Sequence, residues 1–235
     1  MGGVTTGTGR AASAPEEASA SEVPVAVRSV GILGGTFDPI HLGHLALADC
    51  ALRQLPIDEL ELIPAGSPPH KLDRRISPAR HRLAMARLAV AGRPDVVVDP
   101  IEIGRSGPSY TVDTVAALLA AAERAGRPIA PTVIMSADAF ADLPTWHDPE
   151  RLVSLARIAV APRRSHELPD PAPVFERLPG LSGRLDLFDG PDLDVSASDI
   201  RARVRNGRSI AGLVPPVVAD YIEAHHLYRD HHDPR

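Results

Sequence analysis

The sequence predicts an α/β fold: a doubly wound parallel sheet with helices on both faces, three layers in all. Two observations predict it. Short runs rich in Val, Ile and Leu alternate with amphipathic stretches, and turn residues separate them. No apolar run approaches the 18 or so residues of a membrane-spanning helix, which leaves a water-soluble layered domain. Strands joined by helical crossovers pair in parallel through right-handed connections, and such sheets bind ligands beyond the carboxyl ends of their strands. The loops that follow strands are therefore where chemistry is expected.

The first strand, Ser29 to Leu33, is an apolar run stopped by Gly34–Gly35. Leu45, Ala48, Leu52 and Leu55 recur at helical spacing and predict a helix from Gly43 to Leu55. Glu59 to Pro64 is the second strand. A polar loop, Gly66 to Ser77, leads to a helix over Pro78 to Ala91 with proline in its first turn. Val96 to Ile103 is β-branched and reads as the third strand. Val112, Val115, Leu119 and Ala122 mark the next helix, stopped by Gly126 and Pro128. Strands over Thr132 to Met135, Arg157 to Ala161 and Arg184 to Phe188 follow, the middle one after a short helix from Pro149 to Leu155. Helices over Ser198 to Asn206 and Pro216 to His225 close a Rossmann-like pattern with no internal repeat.

Of the 235 residues 44% are hydrophobic and 23% charged, the balance of a globular protein with a sizeable core. At roughly 150 residues per domain, one domain is expected over residues 29–228, flanked by tails at 1–28 and 229–235. The first tail is Ala, Ser, Gly and Thr with Glu16, Glu17 and Glu22. It lacks the basic start and apolar run of a secretory signal and reads as disordered, a misplaced start codon being the alternative. A net charge of −5 and a pI of 6.0 argue against nucleic acid or an acidic membrane as partner. Cys50 stands alone, so an internal disulfide is excluded and a reducing cytoplasm is expected. Cys50 itself reads as core. His225, His226, His231 and His232 read as a solvated end, and Arg74–Arg75 and Arg163–Arg164 as surface, with phosphate contact the alternative for the second pair because it follows a strand.

Three strings in the post-strand loops carry chemistry. Between the first strand and helix lies Gly34-Gly35-Thr36-Phe37-Asp38-Pro39-Ile40-His41-Leu42-Gly43-His44. Glycines admit close approach of a phosphate, a helix start offers free N–H groups and a positive dipole end, and His41 and His44 can turn two imidazoles to one anion. A plain turn with a capping histidine explains each piece singly, and a His-x-x-His pair can also hold a metal. Neither a Walker loop nor Gly-x-Gly-x-x-Gly is present. The second string, Val195-Ser196-Ala197-Ser198-Asp199-Ile200-Arg201, opens a late helix. Ser196 and Asp199 fit a capping box, which leaves Arg201, with Arg205 a turn later, to aim donors at an anion. The third, Gly107-Pro108-Ser109-Tyr110-Thr111-Val112-Asp113-Thr114, precedes the third helix, where a Ser or Thr N-cap is the simplest reading. Trp146, the sole tryptophan, sits in Asp142-Leu143-Pro144-Thr145-Trp146-His147.

The first string resembles the first motif of the nucleotidyltransferase superfamily with the His-x-Gly-His sequence, and the second is similar to its Ile-Ser-Ser-Thr-x-Ile-Arg motif, departing at Val195, Ala197 and Ser198. The third resembles the Pro-Ser-Tyr-Thr-x-Asp-Thr string of nicotinate mononucleotide adenylyltransferases. The resemblance implies transfer of AMP from ATP to nicotinate mononucleotide, giving deamido-NAD and pyrophosphate, with Mg²⁺ carried by ATP. It implies His41, His44, Lys71 and Arg201 as catalytic groups on the phosphates, with Lys71 in Pro68-Pro69-His70-Lys71 closing over the triphosphate. It further implies Gly34, Gly35, Thr36, Phe37, Asp138, Ser196 and Ser198 at ATP. Thr36, Tyr110, Thr111 and Trp146 would then meet the mononucleotide, with the pyridine ring stacked on Trp146. Asp138 falls in Met135-Ser136-Ala137-Asp138, where Ser136 replaces the family's usual glycine. Nicotinamide mononucleotide or phosphopantetheine as acceptor, or a non-catalytic nucleotide-binding protein, are the rival readings. A homo-oligomer is left open.

Overall fold

A computed structural model describes residues 1–3, 26–66, 76–162 and 170–229. Most of the expected N-terminal tail, the loop bearing Lys71 and Arg74–Arg75, the Arg163–Arg164 pair and the His231–His232 end lie outside the described residues. The strands are β1 (Arg28–Gly35), β2 (Glu59–Pro64), β3 (Val96–Val98), β4 (Ile129–Ser136), β5 (Arg157–Ala161) and β6 (Leu185–Leu187). They form one sheet in the order β3-β2-β1-β4-β5-β6, parallel at every pairing. This is the strand order of the doubly wound fold, whose switch point lies between the first and fourth strands.

Alternation along each strand loads both faces. Leu33, Leu60, Leu62 and Ala159 join one apolar cluster, whereas Ile32, Ile63, Val133 and Ile158 join the other. The first face is covered by α1 (Leu42–Gln54), α2 (Ala79–Ala89), α7 (Ala197–Arg205) and α8 (Pro216–Ala224), through Ala48, Ala51, Met85, Ile200 and Ile222. The second is covered by α3 (Thr111–Arg124), α4 (Ala137–Asp142), α5 (Pro149–Leu155) and α6 (Ala172–Arg177), through Val115, Phe140, Leu152 and Val174. Cys50 is buried in the first cluster. Among the described residues no helix is long and apolar enough to cross a membrane.

Two local expectations need correction. The third strand stops at Val98 instead of Ile103. Pro100 has no N–H for a ladder, and Asp99 Oδ1 accepts the Ile101 N–H at 2.8 Å, turning the chain away. Pro78 is the N-cap of α2 and not part of its first turn. The residues after β4 are helical: Ser136 N-caps α4, its Oγ accepting the Ala139 N–H at 3.5 Å, so the serine in the glycine position has a capping use.

Candidate active site

The loop from β1 to α1 folds over on itself at the carboxyl edge of the sheet. A Cβ on Gly35 would lie 2.6 Å from the Phe37 ring, so only glycine admits that ring, and Phe37 itself is held at φ 49°. The Phe37 ring meets His44 edge-on at 4.9 Å, and His41 stacks on His44 at 3.6 Å between ring centroids. His41 N-caps α1, and its main-chain N–H donates to His44 Nδ1 at 3.2 Å. With Nδ1 accepting, neutral His44 carries its proton on Nε2, which becomes a donor. The two imidazoles thus share the start of a thirteen-residue helix.

The second motif docks onto this same loop. Arg201 Nη1 donates to the Asp38 carbonyl at 2.7 Å across 163 residues of chain. A Cβ on Gly43 would sit 3.6 Å from the Val195 carbonyl, so the starts of α1 and α7 abut. Ser196 N-caps α7 by accepting the Asp199 N–H at 3.2 Å, and its hydroxyl lies 3.2 Å from that of Ser198. Asp199 does not complete a reciprocal box, because its carboxylate pairs with Arg203 at 2.7 Å. Both serines are exposed and Arg201 is half-buried. Arg205 ends α7 in solvent, a full turn further from the helix start.

The remaining predicted residues line the same edge. Asp138 is exposed in the first turn of α4, directly after β4, the strand beside β1. Tyr110 N-caps α3 and its ring stacks on His147 at 4.2 Å, which brings the Tyr110–Thr111 helix start to the segment carrying Trp146. Trp146 follows a single 3-10 turn and is half-buried against the second cluster, leaving part of its surface open. A Cβ on Gly66 would overlap the Glu102 carbonyl and approach Ser109 Oγ, so the loop after β2 packs tightly on the loop before α3. Lys71 lies outside the described residues.

Comparison with known proteins gives the chain's family and supports its fold. The cytidylyltransferase-like family matches residues 32–203, well over half of the chain. A protein of Roseiflexus sp. (strain RS-1) named probable nicotinate-nucleotide adenylyltransferase is 47% identical over 200 residues, covering 85% of this chain and 98% of its own. A Thermomicrobium roseum protein of the same name is 43% identical over 200 residues, covering 85% and 91%. The chain belongs to the nicotinate-nucleotide adenylyltransferase family. A solved structure of the Plasmodium falciparum nicotinic acid mononucleotide adenylyltransferase complexed with NaAD shares the fold, with TM-score 0.67 at 20% identity over 86% of this chain and 97% of its own.

Sequence reasoning missed the residues that brace the site of this family member. Arg82 is 2% exposed and donates to three main-chain carbonyls: Thr36 at 2.8 Å, Ser77 at 3.0 Å and Gly66 at 3.1 Å. Burial pushes its pKa down, and the nearby Asp38, Tyr228 and Glu102 push it back up. One guanidinium thus ties the first loop to both ends of the loop after β2. The signal was present: Arg82 lies one turn before Met85 and Ala86 on the buried face of α2. Glu102, 8% exposed, accepts the Thr114 hydroxyl at 2.7 Å; burial raises its pKa, partly offset by that bond. Asp38 and Tyr228 form the other brace, with Tyr228 OH donating to Asp38 Oδ1 at 2.8 Å.

Proposed function

We propose that this chain transfers AMP from ATP to nicotinate mononucleotide, giving deamido-NAD and pyrophosphate, and does so in the cytoplasm. The observation that carries the reading is the contact of Arg201 with the Asp38 carbonyl, because it sets the guanidinium on the loop that presents His41 and His44. Two helix starts and three cationic or donor side chains then face one polyanion.

The nucleophile is the 5′-phosphate of the mononucleotide. Its second pKa is about 6, so it is largely dianionic at neutral pH and no general base is required. The barrier is the approach of two polyanions in line and the charge that grows on the α-phosphate and the leaving pyrophosphate. His44 Nε2, His41, Lys71 and Arg201 meet that charge, each charged hydrogen bond contributing roughly 1.5–3 kcal/mol. Mg²⁺ enters as part of the ATP complex, held mainly by phosphate oxygens. Gly34, Gly35, Thr36 and Phe37 shape the floor under the phosphates, and Ser196, Ser198 and Asp138 complete the ATP side. At the other end the pyridine ring lies on Trp146, and the first N–H groups of α3, at Thr111 and beyond, receive its carboxylate. This last contact favours the acid over the amide.

The test is pyrophosphate release from Mg²⁺–ATP with nicotinate mononucleotide, nicotinamide mononucleotide and phosphopantetheine in parallel. Release with the first, and far less with the others, is expected. Preference for phosphopantetheine, or no release with any acceptor, contradicts the reading.

A further inference from the structure

Asp38 is 4% exposed and is held by three distant parts of the chain. Its Oδ1 accepts the Tyr228 hydroxyl at 2.8 Å, its Oδ2 accepts the Ser77 N–H at 3.2 Å, and its main-chain carbonyl accepts Arg201 at 2.7 Å. Tyr228 comes from 190 residues away, beyond the end of α8. The chain reaches Asp38 by an unusual route: His226 has φ 52° and Tyr228 φ 64°, both in the left-handed region that non-glycine residues seldom occupy. Such conformations persist where surrounding contacts hold them. At His226 the contacts are those of a helix C-cap, its N–H donating to the Glu223 carbonyl at 3.1 Å and the Leu227 N–H to the Ile222 carbonyl at 3.0 Å. At Tyr228 the contact is the phenol on the carboxylate. Burial and the neighbouring Asp38 push the Tyr228 pKa well above the usual phenol range, so the hydroxyl remains a donor throughout the working pH range.

The carboxylate is braced from two directions and the carbonyl of the same residue supports the arginine. A shift of Asp38 therefore moves the seat of Arg201, and it moves it at the head of the loop that carries His41. We propose that Tyr228 is a positioning residue for the adenylyl transfer: by holding the Asp38 side chain it sets the carbonyl on which Arg201 rests, and so the place of that guanidinium at the triphosphate. Tyr228 touches no substrate in this arrangement. The proposal rests on the reading that Arg201 meets the phosphates.

The test is a double-mutant cycle in kcat and in KM for each substrate, with Tm recorded for every variant. Tyr228→Phe keeps the ring and removes the hydroxyl. It is expected to lower kcat about tenfold, to leave KM for nicotinate mononucleotide within about twofold, and to shift Tm by only a few degrees. Asp38→Asn is expected to lower kcat in the same direction, by about threefold, since its amide oxygen still accepts from the phenol while its amide nitrogen no longer accepts from the Ser77 N–H. In an Arg201→Ala background, assayed at high enzyme concentration, neither substitution should cost more than twofold, because its effect runs through the missing guanidinium. Full additivity of Tyr228→Phe with Arg201→Ala, or wild-type kcat in Tyr228→Phe, overturns the proposal. If Tyr228→Phe fails to fold, Asp38→Asn is read in the same cycle against the same criterion. A wild-type rate in Arg201→Ala alone overturns the phosphate role of Arg201 itself, which is a separate failure.

Discussion

At the end of the site proposed for the phosphates, the chain is tied together over long sequence distances: Arg82 holds Thr36, Gly66 and Ser77, Arg201 holds Asp38, Tyr228 reaches Asp38 from beyond α8, and the Leu42 N–H donates to the Leu213 carbonyl at 2.9 Å. At the end proposed for the pyridine ring, the rings meet near the surface: Tyr110 stacks on an exposed His147, and Trp146 lies half-buried beside them. The first arrangement fixes carbonyls and a carboxylate with buried and half-buried donors, and so presents charge in a preorganised frame. The second leaves rings that can separate to admit a third. Phosphate chemistry needs dipoles already in place when charge develops. Ring recognition needs only a flat surface, and stacking is worth on the order of 1–3 kcal/mol per base-like ring.

The difference predicts that substitutions at the two ends fail in different ways. The largest effect is expected from His44→Ala: turnover falls about 10²–10³-fold, because a donor aimed at developing charge is lost, while Tm drops by only a few degrees from the lost bond to the His41 N–H. Steady-state pyrophosphate release together with a melting curve checks both halves, and a rate close to wild type would remove the phosphate role from His44. Arg82→Met is next. It leaves three main-chain carbonyls without their donor and should cost about 3 kcal/mol, a fall in Tm of roughly 6–12 °C by calorimetry. Activity measured well below the melting point should fall as well, since Thr36 is no longer tied. Trp146→Ala acts at the end proposed for the pyridine ring, with some loss of packing against the second cluster. KM for nicotinate mononucleotide should rise about 5- to 150-fold while KM for ATP holds, and an unchanged mononucleotide KM contradicts stacking.

The smallest effect lies away from both ends. Glu61, inside β2, has a buried Oε2 with no hydrogen-bond partner among the described residues, and burial followed by Asp99 and Glu59 raises its pKa to about 7. A carboxyl whose folded pKa exceeds its unfolded value stabilises the fold while protonated. That contribution is full below about 4.5 and is lost as pH rises through about 7. Glu61→Gln should therefore raise Tm by a few degrees at pH 8 and change it little at pH 4.5. Equal shifts at the two pH values would show that the carboxyl does not titrate in this window.

Much of the frame could be read along the chain because it depends on local pattern. The bounds of β2, β5 and α5 follow from an apolar run or an amphipathic turn between clear stops, and the alternation of types already implied a parallel sheet. The last residues of β3 could not be read this way: Val96 to Ile103 is uniformly β-branched apart from Asp99, Pro100 and Glu102, and the turn made by Asp99 and Pro100 outweighed that propensity. The helices α4 and α6 are six residues each, too short to show a helical period. At the site, the loops carrying His41, His44, Tyr110, Thr111, Asp138, Trp146 and Arg201 were legible as post-strand loops, and the structure gathers them on one edge. The braces were not. Arg82 and Tyr228 act on residues 46 and 190 positions away, and neither sits in a string whose local chemistry announces a partner.

A structure of the protein bound to Mg²⁺ and a non-hydrolysable ATP analogue tests the convergence of the two helix starts most directly. The phosphate chain should lie between His44 Nε2 and the guanidinium of Arg201, with the N–H groups at the starts of α1 and α7 turned toward it. A triphosphate seated elsewhere, or one that contacts the imidazoles while Arg201 stays apart from it, would contradict the account.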